Sequence, residues 1–208
     1  MNVTINKDTQ RKTDYNNIKR KFLFHKKTFQ IKDDFFLNTF EELIDSSNPL
    51  FLECSCKYDE EKTYPARFNL FYNKRRENHQ NLIKIIKFLN KLSRQPQINF
   101  DYTTLTSIFT KSFNLNNIHK LILGIDVRSN IQQSKVRLYF FIRDCPQKIK
   151  EIISIYGKDK KILKYYDKNH LPFCIELQSN RKSKIKVYPL LKNKNQENKK
   201  VMKEIKSR

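Results

Sequence analysis

The chain holds only two glycines among 208 residues, beside abundant Lys, Asn and Ile. That balance points to an AT-rich coding sequence, which raises the lysine content without any functional demand. No run of apolar residues is long enough to span a membrane, and the polar N-terminus carries no secretory signal, so a cytoplasmic protein off the membrane is expected. Asn2-Val3-Thr4 matches a glycosylation sequon, which has no consequence without an export signal. The four cysteines, Cys54, Cys56, Cys145 and Cys174, lack paired zinc-ligand spacing, so no metal site is read from them. Cys54 and Cys56 share one face of a strand and are poorly placed for a disulfide; reduced thiols are expected. No helix-turn-helix, zinc-finger or RNA-recognition signature is present. Acidic residues are in the minority, 21 against 43 Lys and Arg, giving a net charge of +22. Such a charge suits nucleic acid, a membrane surface or a diphosphate, and does not choose among them.

Periodicity divides the rest. The spacing predicts a helix over Asp14–Phe29 carrying Ile18, Phe22 and Phe29. A second covers Lys32–Asp45, with Phe36, Phe40, Leu43 and Ile44 on one stripe and Asp33 and Asp34 near its N-terminus. After the break at Ser46-Ser47-Asn48-Pro49, Leu50–Lys57 and Tyr64–Tyr72 read as a hairpin. A helix over Glu77–Ser93 has the stripe Leu82, Ile85, Ile86, Leu89 and Leu92. Asp101 is read as the cap of a shorter helix reaching Ser112. Two strands follow, the second being Lys135–Asp144. Asp144 then reads as an N-cap with Pro146 in the first turn, and the helix ends at Gly157. Lys158–Lys168 reads as another short helix, and Leu171–Gln178 with Ser183–Leu190 as a third hairpin. Residues 1–13 are expected to be flexible, 14–190 to form one domain, and 191–208 to be a basic tail without a strand.

The order is helix-helix-hairpin three times over. This is an α+β pattern of repeated ααββ units, and such units can curl into a barrel, so a partial antiparallel barrel with helices outside is expected. In the strand Lys135–Asp144, Val136, Leu138, Phe140 and Ile142 make an aliphatic face, while Arg137, Tyr139, Phe141 and Arg143 make the other. The polar faces of all the strands would then point into the lumen. They collect Glu53, Lys57, Arg67, Asp126, Arg128, Arg137, Tyr139, Phe141, Arg143, Lys184, Lys186 and Tyr188. Cations suit a diphosphate leaving group, aromatic faces suit an allylic cation, and Glu53 is a carboxylate that can take an acceptor's proton. A basic outer sheet face in a lysine-rich chain is the alternative for the same residues.

Three segments carry a resemblance: Leu52-Glu53-Cys54-Ser55-Cys56-Lys57, Ala66-Arg67-Phe68-Asn69-Leu70-Phe71, and Ile98–Lys148 with Gly124-Ile125-Asp126-x-Arg128-x-Asn130 and Ile142-Arg143-Asp144-x-Pro146. From about Phe36 to Tyr188 the chain resembles the cyanobactin peptide prenyltransferases. The resemblance implies a prenyltransferase barrel and transfer of an isoprenyl group, usually dimethylallyl, from its diphosphate to a side chain of a cyclic or linear peptide, aided by Mg²⁺. It implies that Glu53 is the base, that Arg67 and Arg137 hold the diphosphate and that Tyr188 shields the cation. The cation-and-aromatic strand faces add Arg143 and Lys184 to the diphosphate contacts and Tyr139 and Phe141 to the shield. Tyr139 stands where a relative has His and Phe141 where it has Arg. The family's chain continues past the third hairpin with the strands that close the barrel. Completion by a second chain or by self-association is therefore expected. An inactive remnant and a basic nucleic-acid-binding protein are the alternatives.

Overall fold

The computed structural model describes residues 7–47, 49–59, 61–73, 77–110, 113–156, 166–188 and 190, with backbone alone for 7–15 and 59. Five helices are seen: α1 (Lys7–Thr28), α2 (Phe35–Ser46), α3 (Asn78–Leu92), α4 (Thr103–Ile108) and α5 (Pro146–Tyr156). Six strands are seen: β1 (Phe51–Asp59), β2 (Lys62–Tyr72), β3 (Ile118–Asp126), β4 (Lys135–Arg143), β5 (His170–Gln178) and β6 (Ser183–Val187). All six join one sheet in the order β1-β2-β3-β4-β5-β6, each pair antiparallel. The three expected hairpins are thus present and lie in a single sheet.

The partial barrel expected of them is not seen. Closure would require β1 to pair with β6, and the sheet is open, with β1 and β6 at its two edges. Alternating polar and aliphatic residues describe a barrel wall and an open sheet covered on one face equally well, so the pattern could not tell them apart. Both edges carry lysines, a common guard against further strand pairing. Lys184 and Lys186 stand exposed on β6, and Lys21 of α1 holds its ammonium 4.5 Å from the ring centre of Phe51 on β1.

The helices bury their stripes on one face of the sheet. Leu52, Phe68, Leu70, Leu123, Val136, Leu138, Phe140, Ile175 and Leu177 all join helix residues in one core. Phe22 of α1, Phe40 of α2 and Phe68 of β2 meet at ring-centre distances of 4.9–5.9 Å. In α2 the Asp34 carboxylate accepts from Leu37 N at 2.8 Å, the capping bond expected of an acid at that end. Helix α3 buries Phe88 and leaves Ile86 38% exposed, so Ile86 is not part of the buried stripe.

Local chemistry corrects three boundaries. Helix α1 begins at Lys7 and runs through part of the stretch read as loose. Helix α4 ends at Ile108, well before Ser112, because Phe109 leaves helical backbone to set its ring 4.6 Å from Phe140. Asp101 holds Thr103 N at 2.9 Å and accepts from Ser183 Oγ at 3.1 Å, tying this turn to β6, but Tyr102 is the N-cap. Asp144 has φ of 56° and turns the chain, and α5 begins at Pro146, so Cys145, whose O accepts from Ile149 N at 3.0 Å, stands at the residue before the helix. The helix end at Gly157, most of Lys158–Lys168 and the 191–208 tail lie outside the described residues. The second strand β2 accommodates Pro65 because the register slips between Ser55, opposite Arg67, and Lys57, opposite Tyr64.

Candidate anion-binding site

The face away from the helices is organised in rows, because antiparallel register places alternate residues of neighbouring strands side by side. One row reads Glu53, Asn69, Gly124, Arg137, Glu176, Lys184 from β1 to β6. On one side of it lie Ser55, Arg67, Asp126, Lys135 and Gln178. On the other lie Phe51, Phe71, Ile122, Tyr139, Cys174 and Lys186. Rows two residues apart along a strand are separated by roughly 7 Å. A charged band therefore runs beside an aromatic one.

Two buried carboxylates organise the charged band. Asp126 is 1% exposed and Glu176 3%. Around Asp126 stand Arg128, with Nε 2.9 Å from Oδ1 as an ion pair and Nη2 donating to Oδ2 at 3.1 Å, and Arg67 and Arg137, each at 3.7 Å. Arg128 also stands over Tyr64, its Cζ 3.6 Å from the ring centre. Arg137 Nε donates to Glu176 at 2.8 Å, with Lys135 at 3.5 Å and Lys186 at 3.9 Å from the same carboxylate. Burial alone would raise the Glu176 carboxyl. The bond and charge of Arg137, with Lys135 and Lys186, outweigh it and hold Glu176 at about 2. Burial alone would likewise favour loss of the Arg137 proton, and Glu176 more than offsets it, so the guanidinium stays charged. Five cations around two carboxylates leave three positive charges unbalanced.

The aromatic band is quieter chemically. Burial pushes the Tyr139 phenol up to about 12 and the Cys174 thiol, its hydrogen-bond partner, also to about 12. Both stay neutral near pH 7, so neither is an anionic nucleophile there. Phe51 and Phe71 pair across strands at 5.4 Å. Lys120 of β3 extends between Phe71 and Phe141, its Nζ 5.2 Å from each ring centre.

Glu53 stands apart from the cations. It is half-buried and accepts a long bond of 3.4 Å from Asn69 Nδ2. The Asn69 amide lies over Gly124, and a Cβ at residue 124 would overlap Asn69 Oδ1. Glycine is needed there for close approach of a neighbouring side chain.

The structure brings Arg67 and Arg137 together over Asp126. It does not bring Arg143 to them: that residue lies six positions further along β4 and is exposed, roughly 20 Å from Arg137 by strand rise. Lys184 is opposite Glu176 but exposed. Tyr139 and Phe141 lie in the aromatic band, while Tyr188 follows β6 on the edge opposite Glu53, tied to Pro172 O through its backbone N–H at 2.9 Å. Sequence reasoning gave Asp126 no role and missed Glu176, Lys120 and Lys135. Extending the alternation along β5 would have found Glu176 as the polar residue between Ile175 and Leu177, and along β3 it would have found Lys120 two before Ile122.

Among the described residues no group of three His, Cys, Asp or Glu side chains can hold a metal ion. Asp126 and Glu176 are already held by cations, so the residues present do not fit a protein-built Mg²⁺ site. No described helix is long and apolar enough to cross a membrane. Residues 18–208 match a family of unknown function, DUF5838, and the chain belongs to it. No curated protein matches the chain at a significant level. The resemblance to cyanobactin prenyltransferases is thereby overturned: the family that matches has no assigned function, and the sheet is open where a barrel was implied.

Proposed function

We propose that the open face binds an organic diphosphate with an allylic tail and serves transfer of that isoprenyl group to a peptide side chain. The observation that carries the reading is the charged band beside the aromatic band on one face. Three unbalanced positive charges suit a single diphosphate, and the separation of roughly 7 Å suits a short isoprenyl tail on Phe71, Ile122, Tyr139 and Phe141. Arg67 and Arg137 are the phosphate contacts. Losing one such contact costs about 1.5–3 kcal/mol of binding.

In the proposed step the allylic carbon–oxygen bond breaks and its electron pair leaves with diphosphate. The acceptor oxygen bonds to the freed carbon and its proton passes to Glu53. Glu53 suits this role better than the other carboxylates of the face, because Asp126 and Glu176 are locked by cations. Water has to be excluded while the cation exists, so the acceptor or a second chain covers the face during reaction.

The test is mass-spectrometric detection of an isoprenyl mass gain on peptides containing hydroxyl side chains, with dimethylallyl diphosphate supplied. Glu53→Gln keeps size and hydrogen bonding and is expected to lower turnover roughly 100-fold or more. Wild-type turnover in that variant removes Glu53 from the role. A second reading, single-stranded nucleic acid stacked on the exposed rings, draws on the net charge of +22. Oligonucleotide that displaces a bound diphosphate at micromolar concentration would favour it.

A further inference from the structure

The two edges of the sheet differ in what stands on them. β6 is five residues long and carries the exposed Lys184 and Lys186. β1 is nine residues long and carries Glu53, with Phe51 and Ser55 on the same face. Among the described residues β2 is the only strand paired with β1. Alternate N–H and C=O groups along β1 therefore point outward.

A strand added there would meet Glu53 directly. Opposed residues of paired strands hold their Cβ atoms roughly 4.5–5.5 Å apart, and residues two apart on one strand share a face. A guest residue opposite Glu53 sets its side chain beside that carboxylate. The guest residue two positions away lies opposite Phe51, whose side chain is 46% exposed. Lys21 of α1 stands at the same place, its ammonium 4.5 Å from the Phe51 ring centre, and among the described residues no carboxylate pairs with it.

Charge chooses the guest. A second copy of this chain would bring its own net charge of +22 to an edge that already holds Lys21, and would be repelled. A peptide with an acidic side chain opposite Phe51 would pair with Lys21 instead. The lysine that discourages unselective strand pairing thus admits an acidic strand.

We infer that the outer edge of β1 takes the acceptor peptide as an added strand, with a hydroxyl residue opposite Glu53 and an acidic residue two positions from it on Lys21. The inference rests on the transfer reading for the role of Glu53. It adds how the peptide is held and which spacing of residues it carries.

The experiment is amide hydrogen exchange on the whole chain, without diphosphate, in the presence of blocked seven-residue peptides. Each has a central threonine and either glutamate or lysine two positions away, before it in one pair and after it in the other, one pair for each direction of the added strand. In one of the pairs the glutamate peptide is expected to slow exchange in β1 and to bind roughly fivefold tighter than its lysine twin at low salt. Lys21→Glu is expected to reverse that order. N-methylation of one alternate set of peptide amides is expected to abolish binding, and of the other set to spare it, because only one set pairs with β1. If no peptide slows exchange in β1, or Lys21→Glu leaves the order unchanged, the edge is not the peptide site. Outward amides of β1 already protected in the free protein would also overturn the inference. Protection lost on dilution assigns the edge to a second copy, and protection kept on dilution assigns it to another segment of this chain. Isoprenyl mass gain on the same peptides, with dimethylallyl diphosphate added, is read separately. Gain without β1 protection removes the edge and leaves the transfer reading standing; β1 protection without gain keeps the edge and removes the transfer.

Discussion

The two faces of the sheet are built from the same strands and are stabilised by opposite means. On the helix side Phe68, Leu138 and Phe140 are fully buried against helix residues in a mostly apolar face. On the open side the buried charged groups are Asp126 and Glu176, covered by their own guanidinium and ammonium partners. Buried acids on a face that no described helix stripe covers mean that charge pairing, not packing, organises that surface. A core needs only apolar residues of suitable volume, whereas an array of fixed cations needs anions placed beneath it.

The comparison is broken most severely from the helix side. Phe68→Ala removes a ring that touches Phe22 and Phe40, and is expected to cost about 3–5 kcal/mol in denaturant unfolding. Phe71→Ala, three residues along β2 on the open face, should cost no more than about 1 kcal/mol. Equal losses would mean that the open face is covered in solution.

Removal of Glu176 comes next. Glu176→Gln leaves Arg137 without its partner and is expected to cost about 3 kcal/mol at neutral pH. The pH dependence has a definite sign. The folded-state value, about 2, lies below the ordinary value of 4.5, so the stabilisation is present above pH 4.5 and is lost as pH falls toward 2. The gap between wild type and Glu176→Gln should narrow across that window in parallel urea titrations. A gap that stays constant with pH would show that the carboxylate's charge is not what stabilises the face.

Asp126→Asn sharpens the contrast through binding. The change removes a negative charge, and charge alone would make the face more attractive to an anion. If Asp126 holds Arg67, Arg128 and Arg137 in place, affinity for diphosphate should instead fall about tenfold, measured by calorimetry against a melting control. A smaller effect is expected at Gly124. Gly124→Ala pushes the Asn69 amide off the strand and away from Glu53, and because that side chain can swing, stability should change by about 1 kcal/mol or less.

Much of this contrast was legible in the sequence. Alternation in Lys135–Arg143 sorted Val136, Leu138, Phe140 and Ile142 from Arg137, Tyr139 and Phe141, and the burial of the two sets follows it. Helical spacing found α2 and α3 because their stripes are continuous. Closure was not legible, since no residue pattern encodes whether the edge strands meet. Nor was the boundary of α4, which one aromatic side chain sets by leaving the helix for the core. At the site, Arg67 and Arg137 could be named as cations but not as partners of Asp126 and Glu176, because pairing depends on register across β2 to β5. Arg143 shares a face with Arg137 in any alternation, and only distance along the strand separates them.

The central claim is that the open face holds the anion. It is tested most directly by mapping backbone amide shifts during titration with dimethylallyl thiolodiphosphate. Shifts concentrated at Arg67, Asn69, Gly124, Arg137 and Tyr139, saturating at one equivalent, are the expected result. Shifts spread over the exposed lysines of α1 and α3, without saturation, would contradict it.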